Sequence, residues 1–453
     1  MLAFAFAIPL LFSDDGAGGV YVGLPRVFSG DESHYLVMVN SLVDDGDLDL
    51  RNDYEAARLG ALKAGQNFAG RPLDHHVVWF AQDGVRWPWS RVYELPREPA
   101  TPGHGAAPPR PIPGAPDFRA QPEHSSHPPG LAFLVAPLVA VVRGTRFVEP
   151  AVLLLTALVT LATAAFTRRL FRVLSDDEGV VNVATLVTLL GTPLWSYSRT
   201  FFTEPWLACC CVGAAALALG SDTYVLSGAL IAIGMQMKPP FALVGVPLLL
   251  DTVIRRDLRR SVALAVPLAV GVAAVLFSNA RLFGSPFRAA QAWETGSFAK
   301  GFLGLLLSPD HGLFLFAPAA IVALLGWPTL FRTHPRHAWI LAATVVPYVL
   351  LMSSWRDWRG GFCYGPRLIL PVIPCAFAGI VPAIEWAPTR AVWTRRTITA
   401  LCALSVIVST IAGVAGFEFW GWHPLLKPLL ISHTSRALSI HRPEPTRTEP
   451  VAS

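Results

Sequence analysis

Charge is the first thing this chain is short of: only 15% of its 453 residues are Asp, Glu, Lys or Arg, against roughly 25% in an ordinary soluble domain. With 53% hydrophobic residues and a mean hydropathy of +0.47, that deficit excludes a water-soluble globular enzyme. An excess of one sign is missing too. The net charge of +5 is spread along the whole chain, which excludes a nucleic-acid-binding or disordered polyelectrolyte. Lysine is scarce beside arginine, and much of the Arg lies between apolar runs, where it speaks for membrane orientation rather than polyanion binding. No disulfide framework follows from the cysteines, because Cys209, Cys210, Cys211, Cys375 and Cys402 fall inside apolar runs and Cys363 in a polar loop. Metal-ligand spacing is absent around Cys209–Cys211, and no dinucleotide or P-loop motif and no inverted repeat is found.

What the chain has is long apolar runs. Met1 to Phe12 is about 12 residues, short of the roughly 20 needed to span, and lacks a basic region before it. It reads as a first membrane helix, tilted or short of residues at its start, and not as a signal peptide. Ten further runs follow, at about 149–166, 180–194, 206–220, 224–237, 240–253, 261–279, 312–331, 338–354, 368–385 and 397–416. The expected fold class is therefore an all-α polytopic membrane protein with about 11 transmembrane helices, occupying residues 1–416. A large polar first loop spans 13–148 and holds a hairpin over Val77–Arg91, a Pro-rich stretch from Pro99 to Pro122 and an interfacial helix at Leu131–Val142. Residues 417–453 read as an outer, disordered tail.

Lys and Arg sort the short loops. The set at 167–179, 221–223, 254–260, 332–337 and 387–396 carries them at roughly twice the density of the opposite set, and so is cytoplasmic. The first loop, Arg199, Glu204, Lys238, 280–311 and 355–367 then lie outside, where acids, aromatics and glycines gather.

Five elements there can carry chemistry. In Gly30-Asp31-Glu32-Ser33-His34-Tyr35 the adjacent carboxylates repel, so one can have a raised pKa, which suits a base taking a proton from a hydroxyl. The same acids also fit an N-terminal cap on a helix running to Leu42. In His127-Pro128-Pro129-Gly130, Pro and Gly fix a turn and His127 either faces substrate or is structural. His75 and His76 beside Asp74 are a weaker metal pair, because adjacent histidines do not share a helix face. Arg199 and Glu204 sit at the outer end of a span, as an ion pair or as substrate-positioning groups. Trp355 to Arg367 packs aromatics, glycines and three Arg into one loop. There Trp358 and Tyr364 fit either an interfacial belt or a site, and Arg367 can hold a lipid-linked phosphate. Gly301 to Gly312 reads as an interfacial helix and turn over the site.

The order of Asp31-Glu32, His127-Pro128-Pro129-Gly130, and Arg199 with Glu204 resembles the polytopic GT-C type glycosyltransferases. The nearest likeness is to the protein O-mannosyltransferases (glycosyltransferase family 39) and the bacterial aminoarabinose transferases, over about residues 1–250 by motif order and beyond by topology. The resemblance implies Asp31 as base with Glu32 in support. Glu204 departs from the Asp common at its position. The implied activity is that of an integral membrane glycosyltransferase, using a polyprenyl-phosphate sugar as donor and a protein, glycan or lipid hydroxyl as acceptor, at the extracytoplasmic face of the cell membrane. An inverting transfer needs a base on one face of the sugar and a cation for the departing phosphate. Asp31 fits the first and Arg367, Lys238 or Arg199 the second. No cofactor or metal is obligatory for such a transfer, and a divalent cation is left open. The partners expected are the donor, the acceptor and membrane lipid, without nucleic acid. The rivals are a lipid or solute transporter or flippase, disfavoured by the near absence of charge within the spans, and a non-catalytic assembly factor on the same scaffold.

Overall fold

The computed structural model describes residues 12–14, 20–22, 27, 30–59, 74–95, 107–361, 363–415 and 423–425. Hydrocarbon offers the backbone no hydrogen-bond partner, so apolar runs of this length must satisfy their own amides by coiling. Each of the ten runs from 149 onward is helical. Among the described residues, six segments are long and apolar enough to cross a membrane: Val148–Arg172, Glu204–Ser221, Leu258–Phe283, Pro335–Ser354, Arg367–Thr389 and Val392–Gly413. Six shorter apolar helices accompany them, at Gly130–Val142, Glu178–Leu190, Tyr224–Met237, Pro239–Ile254, Phe298–Leu307 and Ala319–Thr333. Met1 to Phe12 lies outside the described residues except for Phe12, which opens a strand, Phe12–Asp14, paired with Val20–Val22. The expected tail also lies outside them except at 423–425, where His423 is buried against the Leu315 carbonyl.

Proline decides where the helices depart from regularity. Pro318 divides the run at 312–331 into a single turn, Leu313–Phe316, and the helix Ala319–Thr333. Between Arg367 and Trp386, Pro371, Pro374 and Pro382 remove amide donors, and the segment alternates between tight three-residue turns and short α pieces. It is nonetheless the most deeply packed of the six. Small residues allow this: a Cβ on Gly326 would stand 1.8 Å from the Gly379 carbonyl oxygen, so the two backbones are in direct contact. Along Val148–Arg172 the buried hydroxyls of Thr156, Thr160, Thr163 and Thr167 each donate to the carbonyl one turn back.

The described part of the first loop forms a cap beside this bundle. The helix Asp31–Asn40 buries residues 32–40 and packs on Gly130–Val142. β-branched and aromatic Val77–Phe80 pairs with Arg86–Pro88 through a turn at Gln82–Gly84, and on its other edge with His124–Ser125. That second pairing brings His76 and His127, at the ends of two strands, to the same place.

Candidate active site

Asp31 is the first residue of its helix, so its carboxylate stands at the lip of the cap while Tyr35 to Val39 anchor the helix in the core. One oxygen, Oδ2, accepts from Arg367 Nη1 at 2.9 Å. The other, Oδ1, lies 3.8 Å from His127 Nε2. Glu32 is one residue on and points elsewhere: fully buried, its Oε1 accepts from the Phe201 amide at 2.6 Å. The two adjacent acids thus have different jobs, because successive helical residues face about 100° apart.

Arg367 arrives at the start of the proline-broken span. Its guanidinium lies over the Phe202 ring at 4.8 Å, and its Nε is 3.4 Å from Glu204 Oε1. That Nε is buried and makes no hydrogen bond among the described residues. Gly360 permits this placement, since its φ is +74° and a Cβ there would stand 3.2 Å from Arg367 Nε. Glu204, 1% exposed, accepts from Lys238 Nζ at 2.6 Å. Its cation partners are therefore Lys238 and Arg367. Arg199 is buried close in sequence to this acid.

Lys238 lines a cavity of about 700 Å³. Its walls include Phe133, Phe283, Trp293, Tyr348 and Trp355, with Arg86 among its few polar groups. Pro128, Pro129 and Gly130 line it as well, and Gly130 there is not a turn residue as expected. It begins the helix Gly130–Val142 and lies against Gln236, where a Cβ would be 2.4 Å from backbone atoms.

The aromatic and histidine residues of the cap form one stack. His34 Nδ1 is 2.9 Å from the Tyr54 hydroxyl, which also accepts from the His76 amide at 3.1 Å. The His34 and His76 rings stack with centroids 3.5 Å apart, and Tyr35 tilts against His127 at 5.2 Å. Trp358 and Tyr364 have other positions: Trp358 fills the space over Gly304 and meets His311 edge-on, and Tyr364 is buried with its hydroxyl directed at the Val408 carbonyl. His76 and Asp74, read from the sequence only as part of a weak metal pair with His75, lie in this cap group, whereas His75 pairs with Glu123. Tyr54 was not selected from the sequence.

The electrostatics reverse one expectation. Burial alone would raise the Asp31 carboxyl, but Arg367, then His127, His76 and Lys238, hold it well below the usual carboxylate range. The repulsion anticipated from Glu32 does not set this carboxyl, because Glu32 turns away to the Phe201 amide. Burial pushes the His127 imidazole down to about 4 against the pull of Asp31, so it is neutral at pH 7.

Residues 126–281 match the family model described as dolichyl-phosphate-mannose-protein mannosyltransferase. No curated protein sequence matches the chain. Two crystal structures of ArnT from Cupriavidus metallidurans, one in the apo state and one bound to undecaprenyl phosphate, are similar in fold. They share 13% and 14% identity, cover 98% of this chain and 80% of theirs, and superpose with a TM-score of 0.53. The fold is of the GT-C type. The chain is a multi-pass membrane protein, and the matched stretch includes His127, Arg199, Glu204 and Lys238 while leaving out Asp31 and Arg367.

Proposed function

We propose that the protein is a glycosyltransferase that moves a sugar from a polyprenyl-phosphate donor to an acceptor hydroxyl at the extracytoplasmic face, with inversion. One observation carries this reading. Lys238 lines the apolar cavity and donates to Glu204, Arg367 Nε lies 3.4 Å from the same Glu204 oxygen, and Arg367 in turn holds Asp31. A lipid tail fits the cavity walls, and an anionic headgroup fits the two cations, one of which keeps a buried donor without a hydrogen bond. The undecaprenyl phosphate held by the similar ArnT is a ligand of the same chemistry.

The transfer then has a simple balance. Asp31 takes the acceptor O–H proton, and the acceptor oxygen bonds to the anomeric carbon. The bond from that carbon to the phosphate oxygen breaks, with its electron pair leaving on the phosphate. Lys238 and Arg367 stabilise that charge. Arg367 links the two halves. While it rests on Asp31 the carboxylate is a weak base, and a donor phosphate that draws the guanidinium away strengthens the base in the same step. Glu32 supports the site through the Phe201 amide.

The test is reconstitution of wild type and Asp31→Asn in liposomes with a mixed pool of radiolabelled polyprenyl-phosphate sugars. Wild-type consumption that Asp31→Asn abolishes is the expected result. Lipid moved across the bilayer by both proteins with no donor consumed would replace this reading with a transporter.

A further inference from the structure

Two imidazole nitrogens, His76 Nδ1 and His127 Nε2, face one another at 3.0 Å. Asp31 Oδ1 completes a group whose three ligand atoms all lie within 4.8 Å of one another. From this geometry we infer that Asp31, His76 and His127 form a binding site for one late first-row divalent cation such as Zn²⁺.

Three observations support it. Ligand atoms of a tetrahedral site with bonds of about 2.0–2.1 Å are about 3.3 Å apart. The observed 3.0 Å and 3.8 Å bracket that edge, so a few tenths of an ångström of adjustment suffice. Next, His76 Nε2 lies 3.3 Å from Asp74 Oδ2. A carboxylate on the far nitrogen is how a metal-ligating histidine is commonly oriented, and it leaves Nδ1 with its lone pair toward the ion. Finally, the two Asp31 oxygens divide their work: Oδ2 stays on Arg367 while Oδ1 faces the histidines. Asp31, Asp74 and Glu204 outnumber the nearby cations Arg367 and Lys238, so an added cation is accommodated.

A second group, His34, Asp74 and His76, shares one ligand with the first. It is the poorer site. The His34 and His76 rings lie face to face at 3.5 Å with only 16° between their planes, so their lone pairs run side by side and do not converge.

Occupancy has a consequence that rests on the proposed role of Asp31 as base: a bound ion holds that carboxylate, so zinc inhibits donor turnover and a chelator restores it. The binding itself stands independently of that role. The full chain, purified in detergent and stripped with EDTA, is titrated with ZnCl₂ by calorimetry, with bound metal counted by mass spectrometry. Wild type should take up one tight equivalent and melt at a higher temperature with zinc present. His76→Ala and His127→Ala should lose that equivalent, and Asp74→Asn should weaken it by about tenfold or more. His334 and His337, with ring centroids 6.0 Å apart, belong to neither group, so His334→Ala with His337→Ala is the control and should leave the tight equivalent intact. No tight equivalent in wild type, or one that survives both His76→Ala and His127→Ala, overturns the site. Tight binding that leaves turnover unchanged keeps the site and removes Asp31 from the role of base.

Discussion

Replacing Gly130 with alanine tests whether helix spacing sets the geometry of the active site. The added Cβ would meet Gln236 C and O at 2.4 Å and its Cβ at 2.6 Å. Ordinary contact needs roughly 1 Å more, and the obstacle is backbone, so the helix Gly130–Val142 must back away from Tyr224–Met237. Overpacking of this kind costs about 1–3 kcal/mol, which lowers the melting temperature without abolishing folding. Its larger effect is on chemistry. Gly130 is three residues from His127, and Gln236 is two residues from Lys238, so the same shift pulls the cap away from the cation in the cavity wall. Misplacement by about 1 Å costs about 10²-fold in rate. Donor consumption in proteoliposomes, beside a thermal melt in detergent, separates the two effects. Gly130→Ala with wild-type turnover would refute the idea that this contact positions the site.

Other substitutions probe single links. Asp31→Asn should reduce transfer by about 10²-fold or more, since it removes the proposed base while keeping the shape. Arg367→Lys should weaken donor binding, measured by donor titration, because an ammonium lacks the planar fork with which a guanidinium pairs bidentately with a phosphate. Gly326→Ala should destabilise the bundle outright, because a Cβ 1.8 Å from the Gly379 oxygen cannot be absorbed, and detergent-solubilised yield and melting report it. Asp53 offers a pH test. Burial, then Asp45, Asp47 and Asp44, push it up to about 7, against the help of Ser41, and its Oδ2 is buried without a hydrogen bond among the described residues. The folded chain thus binds this proton more tightly than the unfolded one, so stability falls as pH rises from about 4 to about 7. Asp53→Asn should flatten that slope and gain about 1–2 kcal/mol at pH 8, after allowance for screening. Melting curves from pH 4 to 8 decide it.

The bundle was legible because lipid leaves apolar runs only one conformation, and the ten runs from 149 onward map onto helices with ends shifted by a few residues. Polar ends such as Arg168 to Arg172 extend a helix past the hydrophobic pattern that announces it. Pro371, Pro374 and Pro382 were visible too, yet their effect depends on the small residues of the neighbouring helix that make a broken segment packable. Within the site, Asp31, His127, Glu204, Lys238 and Arg367 stood out as polar groups beside apolar runs. His76 stood out only as half of a weak pair with its neighbour His75, because its partner His127 is 51 residues away and a strand pairing brings them together. The division of labour between Asp31 and Glu32 did not stand out, since a two-residue motif does not show which acid a helix turns inward.

The Asp31–Arg367 contact joins residues 336 positions apart, and synthesis runs from the N-terminus. At about 5–20 residues per second, the carboxylate waits roughly 17 to 67 s for its counter-charge. Throughout that interval, and permanently in any chain that ends before Arg367, an acid destined for the protein interior has no guanidinium to meet it. Closing this one pair therefore waits until the chain has been made through the start of the proline-broken span.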